Sequence, residues 1–373
     1  MIDKSMFLVR SRNPNDELRV LNFLELARSL QIQVIQHYWN REPQASNQIP
    51  TQSFNVKVNH VLAYEAGYNK AFGSLIGQLN WQMFILFHIL RERPSIVYAC
   101  DLDSAIIPTI YKRLFPSRKF TLFFDEFDRF STRSDNFGTL PKKLFSFFEH
   151  IVYKSADYVV VASNERKLEE TNIVIQNIPT CERDSKSNGK HETPKVSYVG
   201  LIQDDRGLKA LIQALKIKNN WSCLISGFGS NFEEIHKLAS SNVQVQGGLS
   251  QSDTMGEFSQ AWLTIATYDP KFENNRFSAS SKVLQSLLAN TPVIVSKGGI
   301  LEDIVAKFGL GWVVEYNNSL EIAAALTERE LWSERDLNLF MKNTKIYIDE
   351  LQDQQNWNLA KLSNALKSKV ILL

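Results

Sequence analysis

The chain has 373 residues, 44% hydrophobic and 22% charged, and its 42 basic side chains nearly balance 40 acidic ones. A net charge of +2 supplies no basic field for nucleic acid, and the length suits two globular domains, each able to bury a core. Cys100, Cys181 and Cys223 are scattered and odd in number, which argues against a disulfide framework or a zinc site and for a reducing, cytoplasmic setting.

No charged-apolar-small signal pattern opens the sequence. The longest apolar stretch, 79–90, is short and interrupted by Gln82 and His88, so it is not expected to span a bilayer. Strand is expected over 6–9, amphipathic helix over 16–30 and strand over 33–36, then a polar, turn-rich stretch over 40–55. A long helix is expected over 68–93, ended by Pro94, with Phe72, Leu75, Ile76, Leu79, Met83, Leu86 and Leu90 along one side. That side faces either the core, the simpler reading, or a membrane surface, with Lys112, Arg113, Arg118 and Lys119 nearby. Strand (96–99), helix (104–115), strand (120–124), polar loop (128–140), helix (141–156), strand (158–162), short helix (164–171) and strand (173–175) follow.

Residues 177–194 are polar, hold Pro, Gly and Ser, and have no apolar period, so they read as a linker. It separates an N-terminal domain, 1–176, from a second domain, 195–352. Strands are expected in the second domain over 196–199, 222–225, 243–246, 263–266, 293–295 and 312–314, with helices between them. Residues 353–373 are expected to form a last helix whose apolar side needs a partner surface, with Trp357 as its buried anchor.

The stretch 262–315 reads strand, loop, helix, strand, glycine turn, helix, strand, the unit of an open parallel sheet. Ligands of such sheets sit beyond the carboxyl ends of the strands. Ser280-Ser281-Lys282 and Ser296-Lys297-Gly298-Gly299 both lie there, before helix N-termini, which attract phosphate. The segment is therefore read as an anion site for a nucleotide diphosphate. Gly200, Arg206, Gly227 and Gly229 lie at the ends of two further strands, where backbone approach and a basic side chain suit the same ligand; the alternatives are a surface charge at Arg206 and a plain tight turn at Gly227 and Gly229. In the first domain Asp101 and Asp103 follow one strand, and Asp125 and Asp128 another. Carboxylates there bind sugar hydroxyls or move protons; for Asp103 the alternative is helix capping. Nucleophile elbow, Walker loop, metal-binding His/Glu helix and early Gly-x-Gly-x-x-Gly are all missing, against hydrolase, kinase and dehydrogenase readings.

Together these segments resemble the family-4-type glycosyltransferases of the GT-B architecture, over nearly the whole length. Asn15-Asp16-Glu17-Leu18-Arg19-Val20 resembles the family's Asp-x-Arg-Val helix start, Cys100-Asp101-Leu102-Asp103 its His-Asp-x-Asp, and Phe124-Asp125-Glu126-Phe127-Asp128 its Tyr-Asp-x-His-Glu. Glu149 through Ala156-Asp157-Tyr158-Val159 and Asn177-Ile178-Pro179 also fit its pattern. So do Tyr198-Val199-Gly200, Arg206-Gly207, Gly227-Phe228-Gly229, Gly247-Gly248 and Ser281-Lys282-Val283-Leu284-Gln285. Ala289-Asn290-Thr291-Pro292 through Gly298-Gly299 is the most specific part. Leu201 stands where the family commonly has Arg, Arg206 where it has Lys, Cys100 and Phe127 where it has His, and Phe277 and Gln285 where it has Glu.

The resemblance implies an α/β fold of two Rossmann-like doubly wound parallel-sheet domains facing a cleft, with the last helix, 353–373, crossing back to the N-terminal domain. It implies a hexosyltransferase that retains anomeric configuration, needs no metal or other cofactor, and uses a nucleotide sugar and a glycan or lipid-linked acceptor in surface polysaccharide assembly. Peripheral contact with the inner face of the membrane fits such an acceptor. Arg206 and Lys282 would then face the diphosphate; Gly227, Gly229 and Gly248 would lie near the nucleoside; Gln285 would meet the ribose; Gly200, Ser281, Gly298 and Gly299 would also belong to the donor site. Asp101, Asp125 and Asp128 would be the catalytic-side carboxylates. Two other readings remain open: a non-catalytic relative that binds glycan or nucleotide or serves a transferase complex, and a sugar-nucleotide epimerase or phosphorylase of the same fold.

Overall fold

The structure is a computed structural model that describes residues 5–11, 18–39, 56–61, 71–117, 120–132, 139–169, 172–178, 192–278 and 280–371. The chain divides into two compact units, Met1–Asn177 with Gln354–Leu373, and Ile178–Asp353. The expected stretch 40–55, most of the linker 177–194, Asp16 and Cys181 lie outside the described residues.

Unit 1 holds strands β1 (Ser5–Arg10), β2 (Gln33–Trp39), β3 (Val56–Val61), β4 (Ile96–Cys100), β5 (Thr121–Glu126), β6 (Tyr158–Val161) and β7 (Ile173–Val174). Its helices are α1 (Leu18–Ser29), α2 (Ala71–Glu92), α3 (Leu102–Leu114) and α4 (Thr139–Ser155). The sheet runs β3-β2-β1-β4-β5-β6-β7, and every pairing is parallel. Near-continuous apolar runs such as Met6–Val9 and Ile96–Cys100 suit strands covered on both faces. β3 was not expected, and β2 reaches three residues further than its expected end at Gln36. The short helix expected over 164–171 is a single turn, Asn164–Arg166.

One face of this sheet packs Trp81, Ile85 and Ile89 of α2, Leu102 and Ala105 of α3 and Val152 of α4. This corrects the expected orientation of α2. The row expected to face the core instead includes Leu79 at 60% and Met83 at 64% exposure, while Trp81 is fully buried. Gly77 explains the choice, because a Cβ there would come within 2.4 Å of the Trp39 indole. The helix meets the sheet on the side where that ring fits.

The opposite face packs Val20, Phe23 and Leu24 of α1 with Leu362, Ala365 and Leu366 from the chain's last helix. The anchors of that helix are Leu362 and Leu366, both 0% exposed, and not Trp357, which is 60% exposed beneath the Lys361 ammonium. Gln355 ties the same helix to Gln176, accepting its backbone N–H and donating to its carbonyl.

Unit 2 repeats the plan with β8 (Lys195–Leu201), α5 (Leu208–Ile217), β9 (Ser222–Phe228), α6 (Phe232–Leu238), β10 (Val243–Gln246), α7 (Gln251–Gln260) and β11 (Leu263–Ala266). It continues through α8 (Glu273–Arg276), α9 (Ser281–Leu288), β12 (Val293–Ser296), α10 (Ile300–Phe308), β13 (Gly311–Val314), α11 (Ser319–Glu330) and α12 (Glu334–Ile371), which runs on into unit 1. The six expected strands all form, in the parallel order β10-β9-β8-β11-β12-β13. One core layer joins α5 and α11 to the sheet, and the other joins α9, α10, Ile178 and Phe340, Ile348 and Leu351 of α12.

Candidate functional site

In a doubly wound sheet the crossovers leave to opposite sides of one point, and a crevice opens beyond the carboxyl ends of the two strands that flank it. In unit 2 those strands are β8 and β11. Gly200 and Leu201 end the first, and Thr267, Tyr268 and Asp269 follow the second.

Arg206 lies in the turn after β8 and is held in place from three sides. Its Nη1 donates to Asn275 Oδ1 at 3.1 Å, its Nε lies 3.5 Å from Asp205, and its guanidinium sits 4.8 Å from the Tyr268 ring centre. Its carbonyl accepts the Thr267 hydroxyl, while Gly207, at φ 65°, allows the chain to turn into α5. Asn275, which sequence analysis did not assign, locks this corner by also donating to Asp205 and to the Asp269 carbonyl.

Lys282 stands in the first turn of α9, half-buried, and donates to Gln285 Oε1 at 3.2 Å. Gln285 is 3% exposed, so it positions Lys282 and is not open to a ribose; this corrects its expected role. Ser280 caps α9 without a side-chain bond to its backbone, and its hydroxyl pairs with that of Tyr268 at 2.9 Å. The side chains leave the positive end of α9, with Ser281 and Lys282, uncapped for an anion.

The second expected anion segment is different. The Gly298 N–H is donated to Glu302 Oε2 at 2.7 Å, so the protein's own carboxylate occupies part of the α10 N-terminus. Gly299 caps that helix with its backbone against Arg276. Lys297 is surface-exposed and paired with Glu315.

Gly227 and Gly229 have a packing reason. A Cβ on Gly227 would come within 1.8 Å of the Gly200 carbonyl, and one on Gly229 within 2.2 Å of the Ile202 carbonyl. β8 and β9 cross too closely there for any side chain. Between the two glycines Phe228 stands 65% exposed, its ring 3.1 Å from the place of a Cβ on Gly248. This exposed aromatic at the carboxyl edge was also missed; an apolar residue between two strand-end glycines was its only trace in the sequence.

The corresponding strands of unit 1 are β1 and β4, ending at Arg10 and Cys100. Asp101 follows directly, at φ 66°, a conformation that costs a non-glycine residue energy and often accompanies a function. Its carboxylate accepts the backbone N–H groups of Phe127 and Asp128, each at 3.1 Å. Burial, then repulsion from Asp103 and Asp128, raises the Asp101 carboxyl to about 7. Asp128 is exposed beside it.

Asp125 does not share this environment. It is 0% exposed, its carboxylate lies 3.0 Å from Arg19, and it accepts the Tyr98 hydroxyl at 2.7 Å. A group so enclosed holds β5 against α1 and meets no acceptor, which corrects its expected place among the catalytic-side acids. The same Arg19 guanidinium lies 3.8 Å from the Phe127 ring centre, and that of Arg10 lies 5.0 Å from it. Phe127 thus receives two cations on an aromatic face where the family pattern has His. Arg166 donates to the Phe127 carbonyl at 2.7 Å and fixes the loop from behind.

Residues 181–343 match the family model described as glycosyl transferases group 1. The matched part, somewhat under half of the chain, is similar to that family. The fold of the whole chain, two Rossmann-like parallel-sheet units as in GT-B, is also that of solved structures matched almost end to end. A sucrose-phosphate synthase from Thermosynechococcus elongatus is 13% identical with a TM-score of 0.75, covering 99% of this chain and 100% of its own. Anabaena HepE in complex with UDP-glucose is 13% identical with a TM-score of 0.71, over 96% and 99%. A glycosyltransferase from Rickettsia africae is 15% identical with a TM-score of 0.67, over 98% and 99%. The sequence matches no curated protein. Arg206, Lys282 and the glycine pairs all fall within the matched residues.

Proposed function

We propose that the chain is a glycosyltransferase that moves a hexose from a nucleotide-diphosphate sugar to a glycan or lipid-linked acceptor in surface polysaccharide or glycoconjugate assembly. The observation that carries this reading is Tyr268, whose ring lies against the Arg206 guanidinium and whose hydroxyl meets Ser280 at the uncapped N-terminus of α9, next to Lys282, within the part similar to glycosyl transferases group 1. Two fixed cations and a helix dipole match a diphosphate. The nucleotide complex of HepE supports uridine diphosphate as the first base to try. On this reading Phe228 offers its ring to the base, and the backbone of Gly200, Gly227, Gly229 and Gly248 lines the nucleoside.

Transfer creates negative charge on the departing diphosphate, and Arg206 and Lys282 are placed to stabilise it as it forms. They supply the charge that a metal ion supplies elsewhere, so neither metal nor other cofactor is required. Retention of configuration follows from the family resemblance. In unit 1, Asp101 suits the acceptor hydroxyl, since a carboxyl near 7 can accept a proton close to neutral pH. Asp128 offers a second, exposed carboxylate for sugar hydroxyls. A lipid-linked acceptor lies at a bilayer, so the reading includes a cytoplasmic protein in peripheral contact with the inner face of a membrane.

Calorimetry with UDP, GDP and ADP in the presence of a chelator tests the donor site. Binding of one of the three is expected, and silence from all three removes the assignment. One observation favours a second reading, a non-catalytic nucleotide or glycan binder: Glu302 occupies the Gly298 N–H that a phosphate would need. Nucleotide binding without transfer or hydrolysis across a donor panel would select it.

A further inference from the structure

We propose that unit 1 binds a divalent transition-metal ion, zinc before others, between β2 and the last turns of α2. His37, His88 and Glu92 supply the ligands, and water fills the fourth position. Each side chain offers one ligand atom, and these atoms lie within 4.8 Å of one another. His37 lies on β2, and the other two lie on α2. Residues 35, 37 and 39 share one face of the sheet, and Ile35 and Trp39 belong to the apolar layer packed with α2. His37 stands between them at 1% exposure, its ring 4.3 Å from that of Phe7 and 5.7 Å from that of Phe84. An imidazole in such a place costs free energy unless polar atoms meet it, and a metal bond is one way to offset that cost. The His88 ring faces it at 4.6 Å between centres. The Nδ1 of His88 in turn lies 2.7 Å from Glu92 Oε1, one helical turn further on. A helical His–Glu pair needs no third residue, and a core histidine needs no such pair. Brought together from two elements, the three make a ligand set.

The donor atoms select the ion. Two imidazole nitrogens and one carboxylate oxygen form the set of open zinc sites, which keep a water as fourth ligand. Imidazole suits zinc, copper and nickel, whereas calcium and magnesium take oxygen. Zinc bonds of about 2.0–2.1 Å hold tetrahedral donor atoms roughly 3.3 Å apart. Binding therefore opens the 2.7 Å contact of His88 with Glu92 and draws the wider gaps in. The His88 and Glu92 side chains reach solvent at 12% and 19% exposure, which gives an ion its way in. The bound ion would pin the end of α2 to β2. None of the three residues is among those assigned to the donor or the acceptor, so the ion has a structural role and takes no part in transfer. Its ligands escaped sequence reading because they include no cysteine and come from separate elements.

The test is titration of the full, chelator-dialysed chain with Co2+ and then with Zn2+. One Co2+ per chain is expected, with the intense visible absorption of a four-coordinate site, and Zn2+ should abolish that absorption by displacement. Zn2+ at about a hundredfold its dissociation constant should raise the melting temperature by roughly 5 °C or more. Glu92→Gln keeps an oxygen for His88 but removes the carboxylate. It should bind both ions at least about tenfold more weakly and melt like the parent when metal is absent. His88→Gln should weaken binding by at least as much, and His37→Leu, which suits the apolar layer, should remove the absorption. A parent chain without the four-coordinate Co2+ spectrum overturns the proposal. So does binding that Glu92→Gln and His88→Gln leave unchanged, which would assign the ion to other side chains. UDP has no part in these measurements, so their outcome is separate from that of the donor site.

Discussion

Glu302 accepts the backbone N–H of Gly298 at 2.7 Å, and so places a carboxylate where the glycine turn before α10 would otherwise offer its own charge to a ligand. Glu302→Ala is expected to raise affinity for UDP severalfold. It should lower stability by about 0.5–1 kcal/mol, because an acidic side chain leaves the positive end of a helix. Calorimetry and thermal melting of the same samples separate the two effects. Unchanged or weaker UDP binding would mean that the phosphates keep away from this turn.

Lys282 and Lys297 make an internal comparison. Lys282 is held by buried Gln285 at a helix start, and Lys297 is exposed and paired with Glu315. Lys282→Ala should cost about 1.5–3 kcal/mol of UDP binding, the usual worth of a charge-assisted contact. Lys297→Ala should cost less than about 0.5 kcal/mol. Equal and small losses would make Lys282 an ordinary surface lysine.

Phe228 provides a test of where the nucleoside lies. Stacking of a base on an aromatic ring is worth roughly 1–3 kcal/mol. Phe228→Ala should weaken UDP by that amount and leave inorganic pyrophosphate binding unchanged. A variant that binds UDP as well as the parent would place the base elsewhere.

The two aspartates of unit 1 should separate by assay. Asp125→Ala leaves Arg19 buried without its partner and should cost about 3–5 kcal/mol of stability, seen as a large drop in denaturant midpoint. Asp101 works in the other direction. Its folded carboxyl, at about 7, lies above the ordinary value of 3.8, so the folded state binds the extra proton between those two values. Stability from this group is therefore greatest at the acid end and falls as pH rises towards 7. Asp101→Asn should flatten that fall. If Asp101 accepts the acceptor's proton, turnover of the parent should rise through pH 7 and the Asn variant should lose that limb.

The last helix carries its weight at two leucines. Leu362→Ala and Leu366→Ala should each cost about 2–5 kcal/mol, as fully buried leucines do, and Trp357→Ala less than about 1 kcal/mol. A larger loss at Trp357 than at Leu362 would contradict the packing described.

The strands of unit 2 could be read almost directly, because short apolar runs alternate there with helices, two of them closed by Thr291-Pro292 and by Gly309. α2 could not be read in this way. Its apolar residues occupy both sides, and periodicity alone does not say which side a sheet will cover; Trp39 against Gly77 decides it, across a separation that no local pattern records. Asp101 and Asp125 look equivalent in sequence, each at the end of a strand. Their difference comes from Arg19 and Tyr98, which reach Asp125 from distant positions and leave Asp101 to its backbone donors. Gln285 was misread for a related reason: helix spacing placed it beside Lys282 and did not reveal which of the two would be covered.

Because Leu362 and Leu366 complete the α1 side of unit 1, that unit is assembled from the two extremes of the chain. A ribosome delivers the whole of Ile178–Asp353 before it delivers these leucines. The second half of the molecule therefore has everything it needs to fold while the first half still waits with an apolar face uncovered. Synthesis runs from one end to the other, but completion of the native structure does not follow that order. A chain stalled or cut just before Gln354 would hold a finished second unit joined to an unfinished first one, a form exposed to chaperones and proteases.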